Sequence, residues 1–420
     1  KEKSGPILKA QVFSWDGGTG GEGGTWDWFT DTFPITSMTT EGSNYILDFP
    51  DNSSSTDFYT KYQYWAKYQI SNGSRYFLQG NISFLDAPGE YHYNKKTGWL
   101  YYYPKAIDGE VGTWKVVAPT MQTVINIKGT NKQNPDDKPD IAKQAHNIVI
   151  DGLAVKDTEF SGSYTYSTNW GDGSGPIKDY PPEAKANGVT MPPYCESADR
   201  PMFQVGNIRL QDTNNITISN TNVKNAGIYG IFMAGDNQYD KIKNTAVEYC
   251  GDGGISIDGG YPGVGKYNNH NTFENILIHD VGQLVGHGVG FTIMSSGQNT
   301  FTHMEIYNSP KRGLLVLGGY SRSGSTSYDK NYDCARDGYT VGNHFSYIYV
   351  HNCQQDAGED SSVFMSWLDS SEKYWYGTSQ QHGSADLNAL RTNLTDIDTS
   401  IDRYNYVDQM LIADIGASPS

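Results

Sequence analysis

The chain reads as an all-β protein, a parallel β-helix solenoid preceded by a β-rich accessory subdomain. Three features predict this. A short-strand phrase repeats between Ile216 and Trp367, glycine and asparagine fill the turns between its apolar stretches, and the first third of the chain lacks the phrase. The phrase runs NITISNTNVKN then GIFMAGDN, DKIKNTAVEYC then GISIDGG, NTFENILIHD then GFTIMSSGQN, NTFTHMEIYN then GLLVLGG, and NHFSYIYVHN then SSVFMSW. With Val223, Val247, Ile278, Ile306 and Val350 as equivalent points, the steps are 24, 31, 28 and 44 residues. A period in that range, built only from short strands, is a stacking architecture.

Each coil has a physical logic. Ile, Val, Leu and Phe alternate inward, so a coil hides its apolar half only against another coil. Asn at the corners tolerates left-handed dihedrals and bonds neighbouring backbone, and Gly supplies the same dihedrals freely. The corner Asn residues are therefore read as structural.

The stretch 1–142 carries no coil pattern and is read as the accessory subdomain. Within it GEYHYN and GWLYYYP alternate around KKTG, the signature of a hairpin. Such a subdomain is expected to cover the open sheet edge at the start of the solenoid. The solenoid is assigned to 143–420, with its first coil at NIVIDGLAVKD from Asn147. Two insertions interrupt it, near 159–207 and 318–340, and long unpatterned loops of this kind often carry function. A coil returns at YVDQMLIADIGASPS without a cap, so the chain is expected to be the front of a longer protein. The start at Lys1, with neither initiator Met nor leader, suggests a processed chain.

Composition narrows the partners. A formal charge of −16 argues against nucleic acid, which demands clustered Lys and Arg. No apolar run approaches the roughly 18 residues that span a membrane. The four cysteines, Cys195, Cys250, Cys334 and Cys353, are too scattered for a disulfide scaffold and form no CxxC pair for zinc. Cys250 and Cys353 follow equivalent strands and are expected as buried thiols. Five N-glycosylation sequons, at Asn52, Asn72, Asn81, Asn215 and Asn393, point to a secreted glycoprotein.

Chemistry is sought where the coils differ. Aligning the second strands on Ile231, Ile255, Phe291, Leu314 and Val363 brings Ile228, Asp252, Gly288, Lys311 and Asp360 into one row. The last coil gathers Asp356, Glu359 and Asp360 in CQQDAGEDSS. Crowded carboxylates cannot all ionise cheaply, so one is held protonated beside one that is not, the equipment of glycoside cleavage. A calcium site or a solvated acidic turn would use the same residues. Asp252 stands three coils from Asp360, on the order of 14 Å at the usual strand spacing, too far for a hydrolytic pair. Lys311 and Arg312, one coil away, are placed to hold a carboxylate or an acidic sugar, and His287 to bond a hydroxyl. Trp367 and Trp375, with Tyr374 and Tyr376, offer flat rings for sugar C–H faces.

Two stretches carry a family likeness. FLDAPGEYHYNKKTGWLYYYPK, from Phe84 to Lys105, resembles the "FLDxPGEW…TGxLYYxP" segment of the right-handed parallel β-helix glycoside hydrolases, the group including β-xylosidases, xylanases and fucosidases. VHNCQQDAGEDSSVFMSW, from Val350 to Trp367, resembles their "H…DxGDxGAIY" stretch. The resemblance implies a right-handed helix and an active-site role for Asp360 as nucleophile or general base, with Asp356 at the earlier Asp. This chain departs from the pattern at Ser361-Ser362 and Phe364, and the motif assigns no partner acid: Glu359, Asp356, Asp369, Asp386 and Asp402 all stay open. The expected function is a secreted hydrolase of a polysaccharide or oligosaccharide without a cofactor. A polysaccharide lyase or uronate epimerase using calcium, and a non-catalytic carbohydrate-binding protein, are the alternatives.

Overall fold

The computed structural model describes residues 10–15, 30–49, 73–94, 96–130, 141–160, 205–258, 268–286, 288–294, 296–317, 340, 342–354, 363–366 and 405–413. Two compact units divide after Ala118. Among the described residues the helical segments are single 3₁₀ turns, at Ile82–Phe84, Ala106–Asp108 and Ile141–Lys143. No helix there is long and apolar enough to cross a membrane.

The first unit is antiparallel. Gln11–Trp15 lies between Thr30–Pro34 and Tyr76–Gln79, and Ser37–Glu41 pairs with Asn44–Asp48. The expected hairpin is present: Tyr91–Asn94 pairs with Trp99–Tyr102. Its turn closes through Asn94, whose carbonyl accepts the Gly98 N–H at 2.8 Å and whose Oδ1 accepts those of Lys96 and Thr97. Gly98 sits at φ +72°, a conformation glycine adopts without steric cost. Tyr102 donates its hydroxyl to Asp108 at 2.6 Å and meets Trp114 edge to face, fastening the hairpin to the following 3₁₀ turn.

Among the described residues the second unit is a solenoid of two long parallel sheets, with two short parallel pairs, Ala145–His146 with Thr213–Asn214 and Asn268–Asn269 with Ser296–Gly297. The longer runs in the order Val149–Asp151, Thr217–Ser219, Lys241–Glu248, Thr272–His279, Thr300–Tyr307, His344–His351 and Tyr406–Val407. Ala154–Lys156 and Asn222–Lys224 extend its early coils, and Met410–Ala413 pairs with His344–His351. The other sheet orders Val363–Ser366, Arg312–Leu317, Val289–Met294, Ile255–Asp258, Tyr229–Ala234, Gly206–Gln211 and Ile125–Lys128. Parallel pairing thus begins at Ile125–Lys128, ahead of NIVIDGLAVKD.

Both predicted registers hold. Val223, Val247, Ile278, Ile306 and Val350 form one column, which Val155 and Ile412 prolong. Ile231, Ile255, Phe291, Leu314 and Val363 form the column facing it. Between them Phe273, Phe301 and Phe345 stack with centroids 5.1 and 4.7 Å apart, and Phe291 meets the first two edge-on. Gly230, Gly254, Gly290 and Gly313 lie where the chain enters the seven-stranded sheet. A Cβ on any of them would come within 2.4 Å of a methyl group of Val247, Ile278, Ile306 or Val350. The two sheets close on each other only because that row has no side chains.

The corners behave as their composition implies. Asn215, Asn220, Asn225, Asn244, Asn275, Asn308 and Asn352 all have φ between 47° and 55°. Their amides bond from coil to coil, as in Asn275 to Asn244 to Asn220 at 2.9 and 3.1 Å. A second ladder, buried as far as Asn343, runs Asp240, Asn271, Asn299, Asn343, Asn405. Each Oδ1 from Asn271 onward accepts the backbone N–H of the rung before, at 2.9 to 3.1 Å. Each Nδ2 donates to a carbonyl of the preceding coil, those of Asn237, Asn268, Ser296 and Thr340 in turn. These bonds satisfy backbone groups that the corner leaves outside the strand ladders.

Candidate active site

The seven-stranded sheet presents an outer face that is buried. Beyond its inward column, Phe232, Ser256, Thr292 and Leu315 form an outward row that is almost fully covered, and so are Gln211, Asp258 and Met294 further along the strands. Buried polar side chains on this face, beside apolar ones, make it a functional candidate rather than a plain wall.

The loops feeding this sheet carry the charged groups. Hydrogen bonds stack them: Asp252 donates its N–H to the Ile228 carbonyl at 3.0 Å, and Ser309 donates its hydroxyl to the Gly288 carbonyl at 3.0 Å. Asp252, Lys311 and Arg312 are all buried, Lys311 to 1 % exposure. Gly288 lies between Asp252 and Lys311 in the row and contributes no side chain. Arg312 opens its strand, opposite Val289. The two predicted cations are therefore desolvated on the sheet that receives the acidic segment. A guanidinium or ammonium so placed acts far more strongly on a neighbouring charge than one in water.

The remaining predicted residues, Asp356, Glu359, Asp360, His287, Trp367 and Trp375, lie outside the described residues. Their flanks are described. Gln354, buried, donates its N–H to the Ser309 carbonyl at 2.9 Å, and Val363 pairs with Leu314. The acidic run thus joins the longer sheet to the outermost strand of the other, next to the strand that starts at Arg312. Asp252 feeds a strand three places from Val363–Ser366. Among the described residues no three His, Cys, Asp or Glu side chains gather into a metal-binding group.

Cys250 and Cys353 are free and buried as expected. Burial pushes their thiols up to about 12 and about 11, so neither is a thiolate nucleophile at neutral pH.

One cluster escaped the sequence reading. On the outer face of the longer sheet, Lys224, Glu248, His279, Tyr307 and His351 occupy one register row. The His279 ring faces carboxylates on both sides, Asp280 Oδ2 at 2.7 Å from Nδ1 and Glu248 Oε2 at 3.5 Å from Nε2. It stacks on Tyr307 at 4.8 Å, which stacks on His351 at 4.9 Å. The signal was present as the residue just before each corner, in VEYC, LIHD, EIYN and YVHN. With their faces occupied by one another, these rings are cross-coil packing rather than a sugar platform.

Comparison with known proteins agrees with this organisation. Residues 26–105 match the model of the GH141 insertion domain, and residues 206–367 match that of the right-handed β-helix region. A solved structure described as a glycoside hydrolase superposes with a TM-score of 0.53 at 12 % identity, covering 98 % of this chain and 68 % of that one. At that identity the likeness speaks for the fold. No curated protein matches the chain. The chain therefore has the fold of a right-handed parallel β-helix, preceded by a stretch similar to the GH141 insertion domain.

Proposed function

We propose that the chain hydrolyses a glycosidic bond in a polysaccharide or oligosaccharide, using two carboxyl groups of the run Asp356, Glu359 and Asp360. The observation that carries this reading is the register of Val363 on Leu314. It supports a position for the acidic run near the strand that begins at buried Arg312, next to buried Lys311. Asp360 serves as nucleophile or general base, and a neighbour raised by like charge protonates the leaving oxygen. Trp367, Trp375 and His287 contact the sugar, and Lys311 and Arg312 hold the ionised carboxylate in place. The buried outer face of the same sheet supports a water-poor setting in which these charges act.

The test is incubation with a panel of polysaccharides, reading new reducing ends and ultraviolet absorbance together. Reducing ends without an unsaturated product are expected. A folded Asp360→Asn variant is expected to lose about a hundredfold or more of the rate, the usual worth of a positioned acid or base. Full activity in that variant would overturn the assignment, and an absorbing product would transfer it to an eliminase.

The sequons support a secreted, glycosylated chain. Two of the five asparagines are described. Asn81 caps a 3₁₀ turn by accepting the Ser83 N–H, whereas exposed Asn215 donates its Nδ2 to Asn147 Oδ1 at 2.7 Å. Peptide mass spectrometry of protein secreted from a eukaryotic host is expected to find glycan at Asn81 more completely than at Asn215, whose amide is already engaged. Bare asparagine at every site would remove this reading.

A further inference from the structure

The hairpin of the first unit carries a surface that neither the fold nor the proposed active site uses. Cross-strand pairing places Tyr91 opposite Tyr102 and Tyr93 opposite Leu100, so these four side chains share one face. Tyr102 is tied down by Asp108 and Trp114, whereas Tyr91 and Tyr93 are 72 % and 51 % exposed and Leu100 is exposed beside them. Successive same-face residues on a strand stand roughly 7 Å apart, so the two tyrosine rings form a short track.

Several features separate this track from ordinary exposed side chains. None of the eight strand residues, YHYN and WLYY, is Asp, Glu, Lys or Arg, although the chain carries 78 such residues in all, 31 basic and 47 acidic. A solvated hairpin is normally edged with charge to keep it soluble and unpaired. The turn is also rigid, held by three bonds to Asn94, and Tyr102 anchors the far end. A preorganised surface loses little entropy on binding. Uncharged, with tyrosine hydroxyls at the ring tips, it suits a ligand having flat C–H faces and a fringe of hydroxyls, and repels neither neutral nor acidic chains.

We infer that the face formed by Tyr91, Tyr93 and Leu100 is a saccharide-binding track that engages the polymer acted on by the same chain. This rests on the proposed function for the identity of the polymer, but binding is read without turnover. The experiment is affinity electrophoresis of the full chain through gels containing each polysaccharide of the panel, for wild type and Tyr91→Ala/Tyr93→Ala. Both residues are exposed, so unchanged circular dichroism and melting temperature are expected of the double variant.

Retardation by at least one polysaccharide is expected, with the apparent Kd weakened about fivefold to tenfold in the variant, a loss in keeping with two aromatic contacts. On a soluble polymer that is cleaved, KM is expected to rise by a similar factor while kcat and the hydrolysis of short chromogenic glycosides stay unchanged. Equal retardation of the two proteins overturns the inference. So does a wild-type dimer that the substitutions convert to monomer with saccharide retention unchanged, because the face would then belong to a second copy. Retention that depends on the tyrosines, without hydrolysis of anything in the panel, sinks the hydrolase reading and leaves the track standing.

Discussion

Gly290→Val is expected to cost more than about 4 kcal/mol, enough to unfold the central coils of the solenoid. Gly290 lies in the row where the chain crosses from the longer sheet into the other. A Cβ there would sit 2.4 Å from Ile306 Cγ2 and 2.6 Å from the Gly313 carbonyl oxygen. The methyl group can rotate away, but the carbonyl belongs to the next coil, and coils are fixed at the strand spacing of about 4.8 Å. Moving it breaks parallel hydrogen bonds on both sides. Gly290→Ala is therefore expected to be costly too, and Ile306→Ala in the same chain to recover only part of the loss. Gly230 makes the comparison. There the shortest contact is 2.2 Å to Val247 Cγ1, and the nearest backbone atom, the Gly254 oxygen, is at 2.9 Å. Gly230→Ala/Val247→Ala should approach the stability of Val247→Ala alone. Chemical denaturation of the variants decides it: a Gly290→Ala protein within about 0.5 kcal/mol of wild type would show that the coils yield more easily than this packing allows.

The same row explains what could be read from the sequence and what could not. Strand registers were legible because side chains alternate with period two and each coil must match its neighbour. One residue of slip would turn Val247 or Ile278 outward. The corner asparagines were legible because few residues accept a positive φ. The start of parallel pairing was not. Ile125–Lys128 offers only Ile125 and Ile127 as inward positions, and one coil cannot show a period. Contacts between coils were equally hidden. Glu248, His279 and Tyr307 are neighbours because 31 and 28 residues happen to complete a turn, and nothing local to any of them announces it. The acidic run was found by its composition. Its partner acid was not, since insertions between strands obey no period, so spacing cannot place the side chains they carry.

Asp240→Asn is expected to stabilise the solenoid at alkaline pH and to do little in acid. Asp240 is the first rung of the second ladder, whose later rungs, Asn271, Asn299, Asn343 and Asn405, are amides. Its Oδ1 accepts the Ile216 N–H at 2.7 Å, and its backbone N–H is held by Asn271. The trouble lies at Oδ2. The Thr213 hydroxyl contacts both Asp240 Oδ2 and Asn237 Oδ1, yet it has one hydrogen for two acceptors. A proton on Asp240 resolves this: the acid donates to Thr213, and Thr213 donates to Asn237. Burial, with Asp236 nearby adding like charge, pushes the carboxyl up to about 7 despite the opposing bonds from Thr213 and Ile216. The folded chain then keeps a proton that the unfolded chain releases above the ordinary carboxylate range. Stability accordingly falls as pH rises from about 4 to about 7, by at most about 4 kcal/mol, and is level beyond. An asparagine supplies the missing hydrogen at every pH, through Nδ2 to Thr213. Thermal unfolding should show the variant melting several degrees above wild type at pH 8, with the gap closing by pH 4.5. A gap of the same size at both pH values would mean that Asp240 is ionised throughout, and that the rung is held by something other than its proton.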